Sequence, residues 1–170
     1  RYGESIYKFA LREIPGVLTS ALRAERARLS RKGLGFWHWR NTILQSWLVT
    51  ALMALAVTLA FGPLALGFYV LICAGVWFTI SMANYTAHYG LARRMINGRR
   101  EPCRPGHSWN SSFFFSNLLF FNLQRHSDHH TNAQKPFQTL GDVDDAPELP
   151  SGYPGVFALM LVPPLWYAVI

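Results

Sequence analysis

The sequence predicts an all-α fold, that of a polytopic helical membrane protein with a transmembrane hairpin and a cytoplasmic His-rich helical region. Of its 170 residues, 51% are hydrophobic and only 15% are charged, whereas soluble domains are about 25% charged. Residues 41–92 contain no Lys, Arg, Asp or Glu, which is typical of membrane-spanning segments. Five of the six histidines lie between His88 and His130.

The formal net charge of +7 is compatible with a nucleic-acid partner or with the cytoplasmic side of a membrane. Nine of the 16 cations precede residue 41, and five more lie between Arg93 and Arg104. A charge-free stretch of 52 residues between them excludes a basic nucleic-acid domain, so we expect membrane lipid and no nucleic acid as a partner. The two cysteines indicate no disulfide scaffold.

Residues 1–40 form the first predicted segment, a basic cytoplasmic helix. Cations alternate with apolar residues at helical spacing, and ALRAERARLSRKG is typical of an amphipathic helix that ends at Gly33. We expect this helix to lie on the membrane surface. The alternative is an ordinary solvated helix of a cytosolic subdomain.

Residues 42–85 form the predicted transmembrane hairpin. Thr42 to Phe61 is an uncharged run of twenty residues, Gly62-Pro63 breaks it, and Leu64 to about Tyr85 is a second run. Twenty helical residues cover the roughly 30 Å hydrocarbon core of a bilayer. Cations flank both outer ends, which places both on the cytoplasmic side by the positive-inside rule. Two buried helices of a large soluble core are the alternative.

Residues 86–155 form the predicted metal-site region, and residues 156–170 begin a truncated apolar segment. Within the first, NGRREPCRPGHSWN and the acidic GDVDDAPELPSGYPG are loops rich in Gly and Pro. The apolar FFFSNLLFF of Phe113 to Phe121 is too short to span a bilayer, so we expect it to be buried or re-entrant. The chain starts at Arg1 without Met and stops within an apolar run, so we expect it to be an internal piece of a longer protein.

Three histidines lie within the five residues His126-Ser-Asp-His129-His130. On a helix, positions i, i+3 and i+4 share one face, so their imidazoles are expected to converge. Neutral imidazoles suit Zn, Fe, Cu or Ni. The alternative interpretation of this triplet is a polar surface cluster.

His88 follows the second apolar run, on the side where the triplet is also predicted, so we expect it to reach the same metal. For His107 three roles remain open: a ligand, a donor to a ligand, or a plain loop residue. Asp128 is a candidate to orient an imidazole, since metal-bound histidines need a partner for the second ring nitrogen. His38 is assigned to the membrane interface.

Several stretches together resemble one known family. They are NYTAHYGLARR, HSWNS, NLQRHSDHHTNAQKPFQTL, APELPSGY, LVPPLW and an N-terminal ESIYKF. They resemble the C-terminal half of the AlkB-type integral-membrane alkane hydroxylases (alkane monooxygenases), within the membrane fatty acid desaturase/hydroxylase superfamily. LQRHSDHH is the most specific of these motifs.

The resemblance implies that residues 1–170 are the C-terminal portion of one membrane di-iron oxygenase domain. Its function would be to hydroxylate the terminal carbon of linear alkanes with dioxygen, using two non-haem iron ions and electrons from rubredoxin and its reductase. Carried over residue by residue, the metal ligands are His88, His126, His129 and His130. The family's earlier His boxes are absent here, so the fragment alone is expected to be inactive. The expected location is the bacterial inner membrane, with the metal site facing the cytoplasm.

This sequence departs from the family pattern at three positions: Ala87 stands where Glu is usual, and Phe113 and Asn122 stand where His is expected. These departures keep two alternatives open, a membrane fatty-acyl desaturase or hydroxylase and a divergent non-catalytic paralogue. A membrane zinc hydrolase is disfavoured because no His-Glu-x-x-His motif is present.

Overall fold

A computed structural model describes residues 2–170, and it confirms the predicted helical fold. The chain divides into two compact units, residues 10–79 and residues 1–9 with 80–170. The described residues contain seven α-helices and one two-stranded sheet. The helices are α1 Ile6–Ser30, α2 Thr42–Phe61, α3 Pro63–His88, α4 Phe114–Leu119, α5 His126–Thr131, α6 Tyr153–Met160 and α7 Pro163–Val169. The strands β1 Met95–Ile96 and β2 Arg99–Arg100 pair antiparallel, and short 3-10 turns occupy Pro105–His107 and Phe137–Thr139.

In the unit of residues 10–79, the C-terminal part of α1 is tied to the start of α2 by a polar clamp. The buried carboxylate of Glu25 accepts hydrogen bonds from the Thr42 backbone N–H at 2.7 Å and from Nε and Nη2 of Arg28 at 2.6 Å each. Asn41 caps α2, because its side-chain oxygen accepts from the N–H groups of Ile43 and Leu44. These bonds satisfy backbone donors that a helix start leaves unpaired.

The two long apolar helices match the predicted hairpin. Gly62 ends α2 with a φ of 84°, which glycine adopts without a Cβ clash, and Pro63 opens α3. The Tyr69 hydroxyl lies 3.5 Å from the Thr50 carbonyl, which shows that α3 folds back along α2. Both helices are long and apolar enough to cross a membrane. Their large side chains are mostly exposed, with no buried residue in α2, which suits a surface that faces lipid.

The other unit has an aromatic core that holds the end of α3 against α7. Tyr85 and Tyr89 contact the fully buried Trp166, with ring centroids 5.6 and 5.3 Å apart. The Tyr85 hydroxyl donates to the Glu4 carbonyl at 2.6 Å, which brings in the start of the chain. This core fixes the C-terminal turn of α3, where His88 lies.

For Phe113 to Phe121 we expected a buried or a re-entrant segment, and the short helix α4 does not bury its phenylalanines. Phe114 and Phe115 are 73% and 82% exposed, while Ser116 and Asn117 are buried. The polar face is turned inward because its groups have partners there: the Ser116 hydroxyl donates to the buried Gln124 side chain at 2.8 Å. Hydrogen bonding therefore determines which face of α4 is buried.

Candidate metal centre

Three histidine side chains meet between α3 and α5. His88 is the last residue of α3, and His126 and His130 are one helical turn apart on α5. The Nε2 atom of His126 lies 3.3 Å from Nε2 of His88 and 2.9 Å from Nε2 of His130. One nitrogen of each ring lies within 4.8 Å of the others. Two separate helices thus present three nitrogen donors to one point.

Backbone carbonyls set the tautomers of two of these rings. Nδ1 of His88 lies 3.4 Å from the His107 carbonyl oxygen, and Nδ1 of His126 lies 3.3 Å from the Leu123 carbonyl oxygen. A carbonyl only accepts, so Nδ1 carries the proton in each neutral ring and Nε2 keeps its lone pair. The two Nε2 lone pairs then face each other, an arrangement that a shared cation stabilises.

The spacing of the donors fits a transition metal. An ion bound about 2.1 Å from each nitrogen would hold ligands about 3.0 Å apart at right angles or about 3.4 Å apart at tetrahedral angles. The observed separations of 2.9 and 3.3 Å agree with these values. Imidazole nitrogens suit iron, zinc, copper or nickel, so the residues present fit a metal of this group.

Burial favours the neutral form of His126 and His130. Burial, followed by the proximity of His88 and His130, lowers the pKa of His126 to about 3. The pKa of His130 is also lowered, first by burial and then by His88. Both rings are therefore uncharged at neutral pH, the form that binds metals.

The segment around the 3-10 turn Pro105–His107 holds the end of α3. Besides the His107 carbonyl beside His88, the Trp109 backbone N–H donates to the Ala87 carbonyl at 2.9 Å. The Trp109 indole N–H donates to the Tyr89 carbonyl at 2.8 Å. Three consecutive residues at the end of α3 are thus bound from one segment, which fixes the position of His88.

The same segment holds the start of α5. The buried Asn110 side-chain oxygen accepts from the Ser127 backbone N–H at 3.0 Å, and the Ser127 hydroxyl donates to the Ser108 carbonyl at 2.7 Å. Ser127 immediately follows His126. Residues 105–111 therefore connect the two helices that carry the three histidines.

Two further histidines lie outside the group of three. His129 borders it, with its ring centroid 5.9 Å from that of His126 and 5.6 Å from that of His130. His107 uses both ring nitrogens elsewhere: Nδ1 accepts from the Arg104 N–H at 3.0 Å and Nε2 lies 3.2 Å from a Glu101 carboxylate oxygen. Of the three roles left open for His107, the ligand role is disfavoured by these contacts.

Asp128 stabilises the loop that follows α5. Its buried carboxylate accepts from the Asn132 amide at 2.8 Å, the Lys135 ammonium at 2.6 Å and the Gly141 N–H at 2.8 Å. These donors, with the Gly141 bond first, lower the pKa of Asp128 to about 2. The carboxylate therefore orders residues 132–141, whereas the sequence had suggested that it orients an imidazole.

The three departures from the family pattern occupy different environments. Ala87 is fully buried, and Phe113 is half exposed. Asn122 has a φ of 59°, a left-handed conformation that asparagine tolerates better than most residues, and its amide donates to the Phe137 carbonyl at 3.0 Å. Asn122 is thus suited to a local turn.

Sequence reasoning missed the polar residues that support the site. Asn110, Ser108 and Gln124 are each fully buried in loops. Helical or strand periodicity does not identify buried polar residues in loops, because these are chosen by individual hydrogen bonds. Only the HSWNS stretch pointed to this segment, and it did so through family resemblance.

Together, these features define a class: a helical membrane protein in which three histidines that could hold a metal ion meet at the end of a helix long and apolar enough to span a membrane. The fatty acid desaturase family model matches residues 1–159, and the chain belongs to this family.

Curated relatives match 96–100% of the chain. It is 44% identical to an alkane 1-monooxygenase of Ectopseudomonas oleovorans over 100% of the chain and 43% of that protein. It is 47% identical to alkane 1-monooxygenase 1 of Alcanivorax borkumensis over 96% of the chain and 41% of that protein. It is 32% identical to the xylene/toluene monooxygenase hydroxylase component XylM of Pseudomonas putida over 99% of the chain and 44% of that protein. The chain thus spans less than half the length of these relatives.

Proposed function

We propose that the whole protein is an alkane 1-monooxygenase, which hydroxylates the terminal carbon of linear alkanes with dioxygen. The observation that carries the proposal is the convergence of the Nε2 atoms of His88, His126 and His130. The identity of 44–47% to alkane 1-monooxygenases supports the choice of reaction.

The metal proposed for this centre is iron, with two non-haem ions in the whole protein. The Nε2 atoms of His88, His126 and His130 would hold one ion, and His129, which borders them, is the candidate ligand of the second. Bound iron supplies the oxidation of a C–H bond with dioxygen, which acid–base side chains cannot perform. The chain's own contribution is to hold the rings: the His107 and Leu123 carbonyls keep the Nδ1 protons in place.

The proposed location is the bacterial inner membrane, with the metal centre on the cytoplasmic side. The supporting observation is that Arg31, Lys32 and Arg40 precede α2 while Arg93 and Arg94 follow α3. Cysteines introduced at Gly33 and Asn97 should resist an impermeant thiol reagent added from the periplasm. Efficient labelling at either position would reject this topology.

The proposed electron donor is rubredoxin, which its reductase reduces. An exposed basic surface follows the metal-bearing end of α3 around β1 and β2; we call it the arginine hairpin, and it comprises Arg93, Arg94, Arg99, Arg100 and Arg104. A small acidic carrier would be steered to such a patch in a salt-dependent way. Turnover under limiting rubredoxin should fall as salt rises, and salt-independent turnover would reject this docking surface.

Reconstitution tests the reaction itself. The whole protein with rubredoxin, its reductase and octane should yield a terminal alcohol. His88→Ala, His126→Ala, His129→Ala and His130→Ala should each lower iron content, with His38→Ala as the control outside the site. Unchanged iron in all four ligand variants would reject the metal assignment, and no alcohol from any linear alkane despite full iron loading would reject the reaction.

Product analysis separates the remaining functions. A fatty-acyl desaturase or hydroxylase would give an unsaturated or hydroxylated acyl chain instead of an alkanol. A divergent non-catalytic paralogue would bind no iron, an outcome that the departures at Ala87, Phe113 and Asn122 leave open.

A further inference from the structure

Glu101 is the only acidic residue in the sequence between Glu25 and Asp128. Arginines surround it in the sequence, but its carboxylate contacts a backbone N–H and the His107 ring, and its side chain is only 11% exposed. One oxygen, Oε1, accepts the Arg94 backbone N–H at 2.7 Å and lies 3.2 Å from Nε2 of His107. The Glu101 N–H in turn donates to the Arg94 carbonyl at 3.0 Å, which closes the base of the arginine hairpin.

The second ring nitrogen of His107 defines its tautomer. Nδ1 accepts the Arg104 N–H at 3.0 Å, so the proton of the neutral ring is on Nε2 and is donated to Glu101. The ring is therefore held at both ends. The backbone carbonyl oxygen of His107 is the atom that lies 3.4 Å from Nδ1 of His88.

We propose that Glu101 and His107 are positioning residues for the metal ligand His88. The Glu101 carboxylate fixes the His107 ring, the ring fixes the 3-10 turn Pro105–His107, and the turn's carbonyl orients the His88 imidazole with Nε2 toward the centre. The inference rests on the proposed metal centre, and it assigns His107 a role that the sequence left open.

Charge supports this arrangement. The hydrogen bond from the Arg94 N–H, followed by the interaction with His107, lowers the pKa of Glu101, so Glu101 is a carboxylate at neutral pH. An ionised acceptor makes a stronger hydrogen bond than a neutral one. Partners that orient metal-bound histidines typically contribute roughly 10- to 100-fold to metal affinity.

Cobalt(II) is a suitable probe, because its visible absorption reports the ligands directly and its affinity is measurable without turnover. In the whole protein, Glu101→Ala and His107→Ala should each weaken cobalt binding by roughly 10- to 100-fold and change the absorption band. Glu101→Gln keeps an oxygen that accepts from both Arg94 and His107, so it should restore the wild-type affinity and band. Asp144→Ala, which removes an exposed carboxylate elsewhere in the same unit, is the matched control and should change neither.

The outcomes are distinguishable. Wild-type cobalt affinity and band in Glu101→Ala and His107→Ala would overturn the inference and leave the proposed metal centre intact. Failure of the wild-type protein to bind cobalt would overturn both. If Glu101→Ala does not fold, His107→Ala decides, because it leaves the bond between Glu101 and Arg94 in place.

Discussion

The two units of the chain differ in how many polar side chains they bury. Eleven of the thirteen buried polar or charged side chains in the described residues belong to the unit that carries the histidines. The other two belong to the unit of residues 10–79: Glu25 on α1 accepts from the start of α2, and Asn41 caps α2. We call residues 10–79 the membrane unit and residues 1–9 with 80–170 the metal-site unit. The long helices of the membrane unit form their backbone hydrogen bonds internally, as a bilayer requires. The metal-site unit instead depends on side chains that hydrogen-bond to the backbone of its loops.

This difference predicts opposite sensitivities to mutation. In the membrane unit, apolar exchanges should be tolerated and charges should not. In the metal-site unit, loss of a single small polar side chain should disturb the structure, because a buried donor or acceptor then loses its partner. Three measurements test this contrast, from the largest expected effect to the smallest.

The largest effect is expected from a charge in the middle of α2. Leu52 is 55% exposed at the centre of Thr42–Phe61, so Leu52→Arg should cost about 3–4 kcal/mol of insertion free energy. A translocon insertion assay of this segment measures the effect. Leu52→Ile is the control and should insert like the wild type; equal insertion of Leu52→Arg would show that α2 does not face the bilayer core.

A smaller effect is expected from Asn110→Ala in the metal-site unit. The substitution leaves the Ser127 N–H at the start of α5 without its acceptor, which should destabilise the protein by about 1–3 kcal/mol. Thermal or denaturant unfolding of the whole protein measures the change, and metal affinity should fall with it because His126 adjoins Ser127.

The matched control is Ser112→Ala, two residues away, whose exposed hydroxyl donates to Asp142 at 2.6 Å. Surface changes of this kind usually stay within about 0.5 kcal/mol. Equal stability of the Asn110→Ala and Ser112→Ala variants would contradict the prediction that the metal-site unit is sensitive to the loss of single buried polar side chains.

The same contrast explains which parts of the structure could be predicted from sequence. Uninterrupted apolar runs gave the bounds of α2 as Thr42–Phe61, in agreement with the structure, and Gly62-Pro63 marked the turn correctly. Helical spacing brought His126 and His130 together, and topology brought His88 to them. The assignment of His88, His126, His129 and His130 as ligands stays a prediction.

The structure of the loops around the site could not be predicted from apolar runs or helical spacing. The inward face of α4 is set by the hydrogen bond between Ser116 and Gln124, two polar residues eight positions apart, and not by the phenylalanines on either side of Ser116. Nothing in the spacing of Asn110 and Ser127 marks them as partners, because their bond depends on a turn that the sequence pattern does not specify. Individual hydrogen bonds, and not periodicity, therefore fix this unit.

The smallest effect concerns the one polar clamp of the membrane unit, and it depends on pH. The hydrogen bond from Arg28, which has the larger effect, and the hydrogen bonds from Thr42 lower the pKa of Glu25 to about 2 from its ordinary 4.5. Because the folded state lowers this pKa, the clamp stabilises the junction of α1 and α2 fully above pH 4.5 and loses its effect as the pH falls from 4.5 toward 2.

Glu25→Gln isolates that charge, since the amide oxygen still accepts the Thr42 N–H while the ion pair with Arg28 is lost. The variant should melt below the wild type at pH 7, and the difference between the two should shrink between pH 4.5 and 2. Glu13→Gln, in the same helix but outside the clamp, controls for the loss of a carboxylate. A difference in melting temperature that is equal at pH 7 and pH 2 would show that the ionised carboxylate does not hold the clamp, and the polar contribution to the membrane unit would then reduce to the Asn41 cap.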